Sequence, residues 1–549
     1  MSSAAPSGTE APIVRTPSGS VRGDWAPVDS SHTNGDRIAV FRGIPYAEPP
    51  VGELRFAPPR PRSAWDGVLD ATAFGATPQR GETGITLIPE HAVPGDDTLS
   101  VNVWTPDPAA ALPVVVWIHG GGFISGSPAS PWYDGRSFAR DGVVLVTISY
   151  RLGFSGFGWI DGATPNRGVL DWVCALEWVR DHIGAFGGDP SRVTIAGQSA
   201  GGGAVLTLLG VPAAAGLFQG AYAASAAVAD PSLDASRSRA HHLARLAGVA
   251  PDLTGFESVP ETRLLELQSK ITAPAAPHLL HDLHEILRDG LLLGPVADGE
   301  IVPGDTVTAV SSGANAEVPL VLGSTDDEIT GLFHPGGLLD RAPRRALLRA
   351  LGASAETARR WLAAPRAQAT ESTAVLLGRY ATDAILRSWV PRAAAARAAT
   401  GAGPTWSYRF AWHPADPPRA GHCSDVPFLF DRLDAPGVDR VAGEDPPQVL
   451  ADAAHGALVA FARTGDPGWP ADAAGRGPSR VFDLPVRDVP DAYESARALL
   501  DGADGAGAVD ATDAVGDPDS IPARDQARSS RSTYARSESR TKAAPSTPP

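Results

Sequence analysis

Between Arg192 and Leu206 the chain changes character twice within fifteen positions. An apolar run, Arg192-Val193-Thr194-Ile195-Ala196, leads through Gly197-Gln198-Ser199-Ala200-Gly201 into a small-residue run, Gly202-Gly203-Ala204-Val205-Leu206. β-Branched residues followed by a glycine-flanked turn and then by Ala, Val and Leu read as strand, tight turn and helix. A serine at the apex of such a turn is presented beyond the end of the strand. The flanking glycines are required because side chains there would strike the neighbouring strand and helix. In a chain with 59 glycines a G-x-S-x-G stretch means little by itself; its place between a strand and a helix gives it weight.

A strand that feeds a helix in this way needs parallel strands beside it. Pro113-Val114-Val115-Val116-Trp117-Ile118 and Val143-Val144-Leu145-Val146-Thr147-Ile148 are continuous apolar runs, the pattern of strands covered on both faces. Val318–Leu322 and Trp406–Phe410 are two later strands, and helices rich in Ala, Arg and Leu fill much of 341–399. From Leu170 to Ile183, Trp172, Leu176, Val179 and Ile183 form one helical stripe that Gly187-Gly188-Asp189-Pro190 ends. Asn34-Gly35 signals a hairpin near the start, and the Pro-rich stretch 45–61 is expected to be irregular. The repeated β-loop-α order predicts an α/β fold with a large, mostly parallel central sheet and helices on both faces.

The domain organisation expected is a flexible N-terminus over 1–11, one catalytic domain over 12–500, and a tail over 501–549. The tail is Gly-, Ala- and Asp-rich, then Ser- and Arg-rich, and almost without large apolar residues. It is therefore expected to be disordered. The formal net charge of −16 argues against nucleic acid and anionic membrane as partners, since both call for a basic face. No run of about 18 apolar residues is present, and no signal peptide is visible at the start. A cytoplasmic location is expected. Two cysteines, Cys174 and Cys423, are too few for a disulfide framework and have no metal-ligand spacing.

Acyl transfer by a serine needs a nucleophile, a base, an acid that orients the base, and donors for the oxyanion. Ser199 is the candidate nucleophile. His119-Gly120-Gly121-Gly122-Phe123 follows the Val114–Ile118 run directly, and glycines at a strand end offer backbone N–H groups free of side chains. Gly121, Gly122 and Ala200 are the expected donors, and His119 is expected to be structural. With the order nucleophile, acid, base along the chain, His422 in Gly421-His422-Cys423-Ser424-Asp425 is the candidate base, and the acid lies among Asp326, Asp327 and Glu328. Spacing does not choose among these three. His334 lies too near the acids in sequence to serve as the base. Phe123 and Phe333 are candidates for pocket walls or for core.

Several further blocks carry a resemblance. They are Phe41-Arg42-Gly43-Ile44-Pro45-Tyr46-Ala47-Glu48-Pro49-Pro50, Asp96-Asp97-Thr98-Leu99-Ser100-Val101-Asn102-Val103, Tyr150-Arg151-Leu152-Gly153, Ala185–Pro190 and Phe461–Pro467. Over roughly 12–500 the chain resembles the type-B carboxylesterases, the family that includes the cholinesterases. The resemblance implies an α/β-hydrolase fold with a helical region bordering the active-site gorge. It implies a serine hydrolase that cleaves carboxylic esters through an acyl-enzyme, acts on a small-molecule ester and needs no metal or organic cofactor. Through the family's G-x-x-x-D-E pattern it assigns the acid to Glu328, and through the loop ending in Pro427-Phe428-Leu429-Phe430 it assigns the base to His422. Ser225 aligns with a serine that supports the acid in relatives. Amide, carbamate or thioester cleavage with the same residues is the alternative chemistry, and a non-catalytic binding protein on the same fold is the alternative class.

Three departures from the family pattern stand out. Thr98 and Thr77 occupy positions where the family carries a disulfide, which fits a reducing compartment. Gln198 replaces the glutamate that cholinesterases place before the nucleophile. No Trp lies between Thr77 and Thr98, so the ring that stacks on choline in cholinesterases is missing and choline esters are not expected as the specific substrate.

Overall fold

In the computed structural model, residues 10–28, 37–80, 87–272, 284–288, 290–370, 372–472 and 476–500 are described. Fourteen strands are numbered here in chain order. A small sheet joins β1 (Ile13–Thr16), β2 (Gly19–Arg22) and β5 (Val68–Asp70). The large sheet contains β3 (Asp24–Pro27), β4 (Arg37–Pro45), β6 (Ser100–Thr105), β7 (Leu112–Ile118), β8 (Val144–Ile148), β9 (Gly188–Gln198), β10 (Gly220–Ala224), β11 (Leu320–Thr325), β12 (Thr405–Phe410), β13 (Pro478–Phe482) and β14 (Arg487–Pro490). Its 11 strands run in the order β14-β13-β12-β11-β10-β9-β7-β8-β6-β4-β3.

The block from β13 through β8 is parallel. The margins, β14 on one side and β6, β4 and β3 on the other, are antiparallel. The continuous apolar runs divide between two cores with a period of two. Val114, Val116 and Ile118 of β7 enter one core with Val144, Val146, Ile148, Val193 and Ile195, against Trp172, Leu176 and Val179 of helix Arg167–His182. Val115 and Trp117 enter the other with Leu145, Tyr222, Val321 and Tyr408, against Leu450, Leu458 and Phe461 of helix Gln448–Thr464. That alternation follows from strand pleating, with both faces covered by helices.

β7 pairs with β8 on one side and β9 on the other, so the chain leaves β7 in one direction and returns on its far side. A crevice opens at such a reversal, outside the carboxyl ends of the strands. The glycine loop follows β7 and Ser199 follows β9, on the two sides of that crevice.

The helix expected from Leu170 to Ile183 runs Arg167–His182 and continues as a 3-10 turn to Phe186. β9 begins at Gly188, inside the tetrapeptide read as a terminator. The Pro-rich stretch contains one short 3-10 turn, Gly52–Leu54. β3 and β4 form the expected antiparallel pair, but the Asn34-Gly35 turn between them lies outside the described residues, as do the 501–549 tail and most of the 1–11 terminus. Among the described residues no helix is long and apolar enough to cross a membrane.

Candidate active site

Ser199 sits between the end of β9 and helix Ala200–Leu208 with φ 59° and ψ −126°. A non-glycine residue there costs on the order of 1–3 kcal/mol and persists only where its surroundings hold it. Three backbone hydrogen bonds do so: Ser199 N–H donates to Ala224 O at 3.0 Å, and Ser199 O accepts from Gly203 N–H and Ala227 N–H, both at 2.9 Å. The turn also requires close approach of backbones. A Cβ on Gly197 would lie 2.4 Å from Gly201 O, and one on Gly201 would lie 2.0 Å from Ile118 O.

The loops after the adjacent parallel strands β11 and β12 are stitched to each other. Asp327 N–H donates to Ala420 O at 2.7 Å, and His422 N–H donates to Glu328 O at 2.9 Å. This backbone clasp carries residues 94 positions apart into contact. His422 Nδ1 lies 2.5 Å from Glu328 Oε2, and His422 Nε2 lies 2.9 Å from Ser199 Oγ. An ionised carboxylate only accepts, so Nδ1 carries the proton and the Nε2 lone pair faces the serine hydroxyl. Glu328 Oε1 accepts from Thr325 N–H at 2.8 Å, which fixes the carboxylate plane.

Of the three carboxylates in the turn, Glu328 alone reaches the imidazole. Asp326 lies 2.8 Å from Arg387 Nη1 and 2.7 Å from Arg409 Nε, and Asp327 lies 3.3 Å from Arg366 Nη2. Burial disfavours the His422 cation, but the Cys423 thiol group and the Glu328 carboxylate outweigh it and hold His422 well above the ordinary imidazole range.

Gly121 and Gly122 have φ of 104° and 62°, values open to glycine. Among the described residues neither N–H finds a protein acceptor, while Gly121 O is occupied by Ile124 N–H and Ser125 N–H. Ala200 is the first residue of its helix, where backbone N–H groups and the helix dipole favour negative charge. His119 is fully buried, stacks on Tyr150 at 4.5 Å between ring centroids and is pushed down to about 4 by burial. It is a neutral packing element. His334 is exposed. Phe123 is fully buried among Phe157 and Trp172 and belongs to the core, and Phe333 is partly buried against the helical cluster around Trp361.

Ser225, expected beside the acid, is fully buried at φ 45°, and its hydroxyl makes no hydrogen bond among the described residues. The second bond to Glu328 comes from Thr325 N–H instead. Sequence did not single out one neighbour of the imidazole as such, nor a buried carboxyl on the His422 loop. Gln198 Nε2 lies 3.3 Å from His422 Nε2, and Asp425, three residues beyond His422, is a fully buried carboxyl bonded by the Tyr408 hydroxyl at 3.0 Å. Thr77 and Thr98 are buried, and Cys174 and Cys423 are free thiols. Among the described residues no group of three or more His, Cys, Asp or Glu side chains is arranged to hold a metal.

Comparison with known proteins identifies the family. The sequence model described as "Carboxylesterase family" matches residues 10–474. The para-nitrobenzyl esterase of Bacillus subtilis (strain 168) is 35% identical over 483 residues, covering 84% of this chain and 92% of that protein. The phenmedipham hydrolase of Pseudarthrobacter oxydans is 34% identical over 454 residues, covering 79% and 87%. Among solved structures, a carboxylesterase of Geobacillus stearothermophilus superposes with a TM-score of 0.74 at 32% identity, covering 89% of this chain and 99% of that one. The chain belongs to the carboxylesterase family, has its α/β-hydrolase fold, and is a carboxylic ester hydrolase.

Proposed function

We propose that Ser199 is the nucleophile, His422 the base and Glu328 the acid of this hydrolase, with the N–H groups of Gly121, Gly122 and Ala200 as the oxyanion hole. The observation that carries the reading is the unbroken line from Ser199 Oγ through the imidazole to Glu328, at 2.9 and 2.5 Å. His422 Nε2 takes the serine proton as Oγ attacks the ester carbonyl. Glu328 stabilises the imidazolium, and the carbonyl oxygen gains charge against the three N–H groups. The alkoxide leaves with the proton from His422, and an acyl-Ser199 ester remains. Water, losing its proton to the same nitrogen, then releases the acid.

The substrate is a small-molecule ester. Because a relative bears the name para-nitrobenzyl esterase, p-nitrobenzyl esters are proposed among the substrates. The catalytic domain is proposed to span 12–500, with 501–549 as a tail. A reducing, cytoplasmic setting is proposed from Thr77 and Thr98 in place of the family's paired cysteines.

The test is hydrolysis of p-nitrophenyl acetate by the wild type and by Ser199→Ala. The variant is expected to lose about 10⁴-fold or more in kcat while its unfolding transition is kept, the scale on which removal of a serine nucleophile acts. Turnover within tenfold of wild type removes Ser199 from the mechanism.

A further inference from the structure

The glycine loop after β7 is fastened at the carbonyl behind one of its donors. Gly121 O accepts three hydrogen bonds, from Ile124 N–H at 3.1 Å, from Ser125 N–H at 2.9 Å and from the Ser125 hydroxyl at 3.0 Å. A trans peptide is planar, and its C=O and N–H point in opposite directions. Holding Gly121 O therefore sets the direction of Gly122 N–H, which finds no protein acceptor among the described residues.

The next peptide but two is held from a distant segment. Gly126 N–H donates to Gln79 Oε1 at 2.6 Å, across 47 positions of the chain, and Gln79 Nε2 donates to Glu90 O at 2.7 Å. Ser125 and Gln79 are both buried. Gly126 packs directly on the start of the glycine loop: a Cβ there would lie 2.3 Å from Gly120 O and 2.4 Å from His119 Nδ1. Gln79 is fixed in turn. Thr77 N–H donates to Val93 O at 3.0 Å, Val93 N–H donates to Thr77 Oγ1 at 2.9 Å, and the Tyr133 hydroxyl donates to Glu90 Oε1 at 3.2 Å.

The place between Gly126 and Glu90 calls for an amide. A backbone N–H only donates and a backbone C=O only accepts, so the side chain that joins them needs an acceptor and a donor at one end. Glutamine supplies both. Ionised glutamate supplies the acceptor alone, and methionine, of similar length, supplies neither. A buried N–H left without a partner is costly, so loss of Gln79 Oε1 turns the Ser125–Gly126 peptide toward another acceptor and takes Ser125 with it.

We propose that Gln79 and Ser125 are positioning residues of the oxyanion hole. Gln79 holds the Ser125–Gly126 peptide, and Ser125 holds Gly121 O so that Gly122 N–H faces the oxygen that gains charge. Both act through that N–H. A donor aimed at developing charge counts most in the transition state, so the cost of losing either residue falls on kcat rather than KM. The proposal rests on the reading of Gly122 as an oxyanion donor.

The decisive experiment measures kcat and KM for p-nitrophenyl acetate, the inhibition constant of an alkyl trifluoromethyl ketone, and a urea midpoint, in wild type, Gln79→Met, Gln79→Glu and Ser125→Ala. The ketone reports on the hole directly: Ser199 Oγ bonds to its carbonyl carbon, the serine proton passes to His422, and the C=O electron pair becomes an oxyanion. Deleting a whole donor costs about 100- to 1000-fold, so Gln79→Met, which misaims one, is expected to lose about 10- to 30-fold in kcat with KM unchanged. Its inhibition constant is expected to rise by the same factor. Gln79→Glu keeps the acceptor for Gly126 N–H and loses the bond to Glu90 O. It is expected to keep kcat within about threefold of wild type although its urea midpoint falls, which separates aim from stability. Ser125→Ala leaves two backbone bonds on Gly121 O and is expected to lose about three- to tenfold in kcat, again with KM unchanged.

Gln79→Met with kcat and inhibition constant within about twofold of wild type overturns the proposal. Equal losses of kcat in Gln79→Met and Gln79→Glu overturn it too, because activity then follows stability and not the acceptor. Should Gln79→Met not fold, the decision passes to Ser125→Ala, whose unmoved kcat and inhibition constant overturn it equally. Failure of the underlying reading looks different: Ser199→Ala would remain active, or the ketone would not inhibit the wild type.

Discussion

Adding one methyl group at Gly201 tests how tightly the strand-to-helix turn is built. Gly201 is the second residue of helix Ala200–Leu208. A Cβ there would stand 2.0 Å from Ile118 O, 2.8 Å from Ile118 C and 2.9 Å from His119 O. Ile118 cannot yield, because it is fully buried and its strand is paired on both sides, with Ile118 opposite Gly197 of β9. The start of the helix must retreat by about 1 Å to restore an ordinary contact, and Ala200 and Ser199 move with it. Forcing extra volume into a packed site costs about 1–3 kcal/mol, and a misplacement of about 1 Å at a reacting group costs about 100-fold in rate. Gly201→Ala is therefore expected to unfold at lower urea with an unchanged slope and to lose about 100-fold in kcat/KM on p-nitrophenyl acetate. A variant within threefold of wild-type kcat/KM and with an unchanged urea midpoint would refute the packing argument.

Three further substitutions probe a neighbour of the imidazole and the glycine loop. Gln198→Glu places a carboxylate where an amide lies 3.3 Å from His422 Nε2. An opposite charge that close favours the imidazolium by about 1 unit or more. The wild-type acid limb is expected above the ordinary imidazole value of about 6.5, because Cys423 and Glu328 outweigh burial at His422, and activity should be lost as pH falls through it. In the variant that limb should move higher still, read from kcat/KM against pH; a limb that stays or moves down contradicts the assignment. In the glycine loop, a Cβ on Gly121 would meet Ser125 O at 2.2 Å, whereas the nearest atom to a Cβ on Gly122 is Ile124 Cγ1 at 3.9 Å. Gly121→Ala should cost about 100-fold or more in kcat, and Gly122→Ala about 1 kcal/mol of backbone strain with kcat within tenfold; equal losses would contradict the loop geometry.

The parallel block was legible because its strands are apolar on both faces. Val114 through Ile118 and Val143 through Ile148 need no alternation to be recognised when helices cover each side. The antiparallel margins were not distinguished from the rest. Ser100–Thr105 is fully buried too, and nothing in such a run records its direction. The start of β9 was misread because Gly188-Asp189-Pro190 carries turn chemistry while forming the first residues of a strand.

At the site, the order of serine, acid and base along the chain named the residues that the structure places in contact, and the choice of Glu328 over Asp326 needed the family pattern. Three arginines on later elements take up Asp326 and Asp327, and spacing within one turn does not reveal them. The hydroxyl of Ser225 turned out to have no partner among the described residues, because Glu328 finds its second donor in the backbone of its own strand end. Asp425 escaped notice for a similar reason. Its partner, Tyr408, lies 17 positions earlier on β12, and an aspartate in a polar loop reads as a surface residue until the fold buries it.

The most direct measurement treats the intact protein with a fluorophosphonate ester and maps the adduct by mass spectrometry. An activated hydroxyl at 199, 2.9 Å from the base, should carry a single phosphonyl group on the peptide containing Gly197–Gly201, in step with loss of esterase activity. The adduct should be absent from Ser199→Ala. Activity abolished with the label on any other residue, or a fully labelled Ser199 in an enzyme that still turns over ester, would contradict the account.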